Sequence, residues 1–187
     1  MTPFMSLLLP IIFAAIAVFL LSAVLHMALP WHKRDYTAVP NEEAALAALG
    51  SLAIPPGDYN VPGPIRPDGS RNPDFMPRLK SGPLYLMTVT KPNAFNMGNT
   101  LGVWFCVTVL VAAIAACAAG SIVAPGGDGH DIFHIAGGAT FLAYSFGEWP
   151  LAIWYHRKWS TVLRNTVDAL LYGAATGLIF VWMWPKS

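Results

Sequence analysis

The chain has 187 residues, of which 55% are hydrophobic and only 11% are charged. Soluble domains carry about 25% charged residues, so this composition cannot cover a globular surface with polar groups. The 11 basic and 10 acidic residues nearly cancel, which excludes a nucleic-acid-binding protein with a basic face. The composition therefore predicts an integral membrane protein that contacts the lipid bilayer and binds no nucleic acid.

Four apolar stretches are long enough to cross about 30 Å of hydrocarbon as helices. They cover approximately residues 4–29, 98–123, 132–155 and 161–184. Backbone polar groups must satisfy one another inside a bilayer, and continuous apolar runs favour helices over the alternating strands of a barrel. We expect an all-α integral membrane fold, a four-transmembrane-helix bundle that forms a single membrane domain over residues 1–187. The first stretch is too long for a signal peptide and its start carries no basic side chain, so we expect an uncleaved anchor.

Basic residues are distributed unequally between the two ends of the predicted spans. The loop between the first two spans holds seven of them, and the connection before the fourth span, with its first turn, holds three. The opposite side holds only Lys186. By the positive-inside rule, both basic loops lie in the cytoplasm and both termini lie outside it.

The predicted cytoplasmic loop, residues 32–97, is rich in Pro and Gly. Asn41 followed by Glu42 and Glu43 is typical of a helix start, and Gly50 of a helix end. The following Pro- and Gly-dense run disfavours helix and most strand pairing, although residues 84–90 favour a short strand. The loop contains no phosphate-binding Gly loop and no nucleophile elbow. We therefore expect it to pack against the membrane face or a partner, and we do not expect a catalytic domain.

Small residues recur every four positions on the last two spans, where they let helix backbones approach closely in lipid. The short connection between these spans predicts an antiparallel hairpin, with a homodimer face on the fourth span as the alternative. The predicted helix-packing residues are Ala139, Ala143 and Gly147 on the third span and Ala169, Gly173 and Gly177 on the fourth.

Ionisable side chains inside the predicted spans are costly to bury and are therefore candidates for function. Glu148 and Asp168 are expected at matching depth on the cytoplasmic side, and Arg164 lies one turn before Asp168. His26, one turn inside the end of the first span, should lie at a similar level. We predict that these four residues form an intramembrane polar network. An arginine-bridged network that holds the bundle together is the favoured interpretation, and a proton relay or cation site is the alternative.

A second polar group surrounds the start of the third span, on the outer side. His130 and His134 are spaced as on one helix face, and Asp131 offers a further ligand. One interpretation is a transition-metal site formed by these three residues. Alternatively, Asp128 and Asp131 serve as ordinary acidic residues at a helix start. We otherwise expect no cofactor.

Several short stretches resemble a family of uncharacterised bacterial multi-pass inner-membrane proteins. The resemblance has no known activity attached to it, so it implies only a location in the bacterial inner membrane. The matching stretches are residues 32–36, 40–43, 56–59, 96–98, 168–172 and 182–185.

These observations favour a non-enzymatic membrane protein that acts as a structural or accessory subunit of a larger membrane assembly. Its partners would be other membrane-protein subunits or further copies of the chain. Two alternatives belong to different classes. One is a small oligomeric transporter or proton-conducting protein that uses Glu148 and Asp168, and the other is an outer-face metal or redox site at His130 and His134.

Overall fold

A computed structural model describes residues 1–186, and 66% of the chain is helical. The chain divides into two compact units. The first, the helical unit, contains Met1–Tyr36 and the described residues from Met97 onward; the second, the loop unit, is Thr37–Asn96. The elements in chain order are α1 (Leu8–Ala23), α2 (Glu42–Ser51), β1 (Gly57–Val61), α3 (Phe75–Ser81), β2 (Tyr85–Val89), α4 (Met97–Ile122), α5 (Gly129–Ser145), α6 (Trp149–Tyr155) and α7 (Trp159–Met183).

The helical unit is an antiparallel bundle in which α1, α4, α5 and α7 form a closed ring. Each of these helices packs on its neighbour in sequence, and α7 packs back on α1. At one end, Thr2 donates its amide to the carbonyl of Gly120 (2.8 Å), and the indole of Trp184 donates to the carbonyl of Ala124 (3.0 Å). These bonds place the start of α1 beside the end of α4, and the end of α7 beside the turn that follows α4.

Among the described residues, three helical segments are long and apolar enough to cross a membrane: Phe4–Ala28, Met97–Ile122 and Trp159–Met183. The first segment contains α1 between a 3-10 turn (Phe4–Leu7) and a π-helical turn (Val24–Ala28). These three segments agree closely with the first, second and fourth predicted spans.

The third predicted span, residues 132–155, is not one continuous helix, and this part of the prediction is corrected. Helix α5 ends at Ser145, and a 3-10 turn (Phe146–Glu148) separates it from α6. Pro150 explains the break because it has no amide hydrogen to continue the helical hydrogen bonds and its ring clashes with the carbonyl four residues earlier.

Small side chains fill the centre of the bundle while large apolar side chains cover its outside. Ala14, Ala15, Ala115, Ala116 and Ala119 have no exposed surface. The large apolar residues that face outward include Leu9, Leu110 and Leu178, each about 60% exposed. A soluble protein has the opposite distribution, because burial of large apolar side chains in a core is what stabilises it.

Helices α5 and α7 approach one another most closely, at Gly137 and Gly173. A Cβ atom added at Gly137 would lie 2.8 Å from the carbonyl oxygen of Gly173, and one added at Gly173 would lie 2.7 Å from that of Gly137. Only glycine permits this approach. Ala169 and Gly177, the other two predicted packing residues of α7, are also buried.

The predicted packing residues of the third span are placed differently. Ala143 and Gly147 are exposed, and no atom lies within 4 Å of the position where Gly147 would carry a Cβ. Ala139 packs partly buried against the bundle core. The face of α5 that meets α7 carries Phe133, Gly137 and Phe141 instead. The residues of α5 that contact α7 do recur every four positions. They form a different row from the predicted one, with one glycine between two phenylalanines.

The loop unit contains two short helices and a two-stranded antiparallel sheet, in which Gly57 pairs with Val89 and Val61 with Tyr85. The predicted helix start is confirmed, since the side chain of Asn41 accepts a hydrogen bond from the amide of Ala44 (3.2 Å). Strand β2 is confirmed too, whereas β1 and α3 occur in the Pro- and Gly-dense run for which neither was predicted. None of residues 37–96 is fully buried.

Candidate functional site

Charged and aromatic side chains meet at the end of the helical unit opposite Thr2 and Trp184. The chain leaves the π-helical turn at Leu29, whose backbone is extended, and enters a 3-10 turn over Pro30–His32. A residue before proline favours the extended conformation, so Pro30 ends the first helical segment here. The segment that follows lies against the first three turns of α7.

Asp168 on α7 is buried and accepts two hydrogen bonds from this segment. The indole Nε1 of Trp31 donates to its Oδ1 (3.1 Å), and the ring Nε2 of His32 lies 2.7 Å from its Oδ2. Its side chain is only 3% exposed. A carboxylate in such a position needs partners of this kind, because burial without them is costly.

The other ring nitrogen of His32 faces a second carboxylate. Its Nδ1 lies 2.6 Å from Oδ2 of Asp35. Asp35 also accepts hydrogen bonds from Thr161 (3.1 Å) and from the guanidinium of Arg164 on α7. Desolvation by itself would raise the pKa of Asp35, but the hydrogen bonds from His32, Arg164 and Thr161 outweigh it and leave the pKa below its usual value.

His26, in the π-helical turn, lies against His32. The two rings stack with centroids 4.1 Å apart and planes 5° from parallel. Nδ1 of His26 lies 3.1 Å from the carbonyl oxygen of Ser22, so this nitrogen carries a proton and Nε2 is left available. We call His26, Trp31, His32, Asp35, Arg164 and Asp168 the histidine–aspartate cluster.

Glu148 belongs to a separate group of contacts. It accepts hydrogen bonds from Arg157 (2.6 Å) and from Asn165 (3.2 Å). The guanidinium of Arg157 also donates to the hydroxyl of Tyr36 (3.2 Å). This ion pair is about 30% exposed at both side chains, so water screens it and it contributes little to stability.

The structure brings together only part of the predicted polar network. His26 and Asp168 lie in one cluster, and Arg164 joins it through Asp35. The expected bridge by Arg164 between Glu148 and Asp168 is not formed, because Asp35 supplies a closer carboxylate and Glu148 is paired with Arg157.

The polar network predicted from the sequence lacks Trp31, His32 and Asp35, which lie just beyond the predicted first span. A signal for them was present: His32 and Asp35 are three residues apart, directly after a proline that stops the helix. Their partners on α7 could not be found in this way, since the spacing of residues gives no information on contacts between distant segments.

The outer polar group is exposed. The rings of His130 and His134 lie 4.3 Å apart, and Nδ1 of His130 lies 3.6 Å from Oδ1 of Asp131. Asp128 caps α5, where its carboxylate accepts a hydrogen bond from the amide of His130 (3.0 Å). Among residues 1–186, the group of three side chains that could hold a metal ion is instead His26, His32 and Asp168, whose ligand atoms lie within 4.8 Å of one another.

Comparison of the chain with protein-family models, with curated proteins and with solved structures finds no match.

Proposed function

We propose that the chain is a multi-pass membrane protein that acts as a non-enzymatic structural or accessory subunit of a larger membrane assembly. The bundle crosses the membrane four times in this proposal. Helix α5 has 17 residues and spans about 25 Å, whereas the three long apolar segments have 25 or 26 residues each, so the broken extension through α6 completes its pass. The outward-facing leucines and the alanine-rich centre support a lipid environment.

One observation supports the role of a subunit above others: the loop unit has no core of its own. Its sixty residues include none that is fully buried, although large apolar side chains are common in it. Leu46 and Leu49 on α2 and Leu52 directly after it are each about half to two-thirds exposed. An apolar surface of this kind is typical of a site that a partner covers.

The network at the end of the bundle supports the same proposal. Every charged group of the histidine–aspartate cluster has an oppositely charged or hydrogen-bonding partner, which fixes the segment after α1 to α7. A proton-conducting protein that uses Glu148 and Asp168 is the alternative. The two carboxylates accept hydrogen bonds from different sets of partners in the described part of the chain, which favours the structural role.

The proposed location is the bacterial inner membrane, with both termini outside the cytoplasm. It is supported by the unequal distribution of basic residues and by the family resemblance. The loop unit would then meet its partner in the cytoplasm or at the cytoplasmic membrane face.

Site-specific photo-crosslinking in native membranes tests the subunit role. We expect a crosslinking amino acid at Leu46 or Leu49 to give an adduct of one discrete larger mass, because these side chains would contact the partner. The matched control is the same amino acid at Asp68, an exposed polar site of the same unit.

A crosslinked protein at Leu46 that still forms when the membranes are highly diluted before irradiation would identify a stable partner. If neither leucine gives a protein adduct while lipid adducts form, the apolar surface faces the bilayer and the subunit proposal is wrong.

A further inference from the structure

We infer that His26, His32 and Asp168 form a binding site for a divalent transition-metal ion. Each residue contributes one ligand atom, and the three atoms lie within 4.8 Å of one another. Two imidazoles and one carboxylate are ligands that zinc and similar ions prefer, and three protein ligands leave a coordination position for water. This site is distinct from the outer residues His130, His134 and Asp131, and it goes beyond the proposed function.

Each of the three ligands is held from behind by a hydrogen bond to its other polar atom. Nδ1 of His26 donates to the carbonyl of Ser22, and Nδ1 of His32 meets the carboxylate of Asp35. Oδ1 of Asp168 accepts from the indole of Trp31, which leaves Oδ2 for the ion. Metal-binding histidines nearly always show such a partner, since it fixes the tautomer and the orientation of the ring.

The charges around the three ligands also suit a dication. Asp35 and Asp168 bring two negative charges to His32, and Arg164 neutralises one of them by pairing with Asp35. When no ion is bound, a proton between Nε2 of His32 and Oδ2 of Asp168 occupies the gap, which is 2.7 Å wide. The ion replaces this proton, so binding of the metal releases it.

Binding requires two small movements. Nε2 of His32 and Oδ2 of Asp168, which lie 2.7 Å apart, must separate to about 3.3 Å, the spacing of two ligand atoms that are each about 2.0 Å from one tetrahedral zinc ion. The planes of the two histidine rings are nearly parallel, whereas the lone pairs of two ligands of one ion must converge. His26 is exposed and is held by a single side-chain hydrogen bond, so its ring can tilt toward His32 and Asp168. His32 and Asp168 keep their hydrogen bonds to Asp35 and Trp31 as they separate, and His26 completes the site.

The test uses the full chain in detergent, purified through an affinity tag that contains no histidine and stripped of metal with a chelator. Zinc binding is measured by calorimetry and elemental analysis. Cobalt(II) replaces zinc for absorption spectroscopy, because its visible bands report the coordination number. We expect about one zinc ion per chain, with a cobalt spectrum of four-coordinate geometry.

His26→Ala is the decisive variant, since His26 takes no part in the ion pairs that hold the segment to α7. We expect it to weaken zinc binding by tenfold or more. Asp35→Asn weakens the support of His32, although it also removes the charged partner of Arg164, and it should weaken zinc binding by about 10- to 100-fold. The matched control, His130→Ala with His134→Ala, should bind zinc as the unmodified protein does.

Two results would overturn the inference. One is a chain that takes up no zinc or cobalt, or binds them equally well after His26→Ala. The other is loss of binding in the His130→Ala/His134→Ala variant, which would place the ion at the outer residues. The photo-crosslinking at Leu46 is independent of both results.

Discussion

His32 occupies the position between two carboxylates that come from different parts of the chain. A neutral imidazole carries one proton and could donate to only one of them, whereas a ring with protons on both nitrogens donates to Asp35 and Asp168 together. Arg164 lies beside Asp35, and the side chains of His32, Asp35, Asp168 and Arg164 then carry no net charge in total. This balance allows Asp168 to be buried inside the end of a bundle.

Removal of one carboxylate disturbs the balance. Asp168→Asn leaves His32 and Trp31 facing a neutral amide, and loss of one member of a buried pair can cost about 3–5 kcal/mol. We expect a fall of several degrees in the melting temperature of the chelator-treated protein in detergent. Adding His32→Gln should restore part of the loss, because it removes the group that lost its partner.

Asp131→Asn, at an exposed carboxylate, is the matched control and should melt as the unmodified protein does. The proton-conducting alternative makes a different prediction. A stable Asp168→Asn protein that has lost a measurable proton flux in liposomes would contradict the structural role.

At the scale of the elements, the contact between α5 and α7 depends on two glycines that meet backbone to backbone. A side chain at either position would meet a carbonyl oxygen at less than 3 Å, which no rotation of a flexible group can relieve. Gly138, the next residue on α5, faces open space. Neighbouring glycines of one helix therefore have opposite requirements.

Alanine substitutions at these glycines test the contact. Gly173→Ala should lower the melting temperature in detergent, since forced overpacking costs about 1–3 kcal/mol or more. Gly138→Ala should leave it unchanged or raise it, because alanine is the better helix former by about 1 kcal/mol. Equal melting temperatures for the two variants would show that the helices are not in contact at Gly173.

Most of the helices could be predicted from the sequence, because an apolar run of about 25 residues leaves the backbone no alternative in lipid. The predicted third span did not include the break at Phe146–Glu148, although Pro150 is a sequence signal for it. The histidine–aspartate cluster was predicted only in part. Which face of each helix turns inward depends on the packing of all four, so a chain position such as Asp35 does not reveal its partner on α7.

At the scale of the whole molecule, the distribution of basic residues predicts the direction in which the chain would insert into the proposed membrane. Seven basic residues lie between the first two long apolar segments. At the opposite end of the bundle, the described residues include Lys186 as the one basic side chain. Because translocation of basic loops is disfavoured, we expect the loop unit in the cytoplasm.

Cysteine labelling in intact cells tests this orientation. Cys106 and Cys117, which are free and exposed, are first changed to alanine. A membrane-impermeant reagent should then label Lys186→Cys and spare Ser70→Cys until the membrane is opened. Labelling of position 70 from outside would reverse the proposed orientation.

The long separation between the partners in the histidine–aspartate cluster affects how the chain is built during synthesis. Asp35 and His32 leave the ribosome 129 and 136 residues before Arg164 and Asp168. Helix α7 is the least apolar of the three membrane-crossing candidates, and it carries the buried aspartate. If the chain inserts into a membrane as proposed, Trp31 and His32 are already in place when α7 is inserted, and these are the groups that bond Asp168. In the proposed membrane topology, the segment after the first helix would therefore assist insertion of the last, and a nascent chain without residues 29–36 would have to place Asp168 in lipid alone.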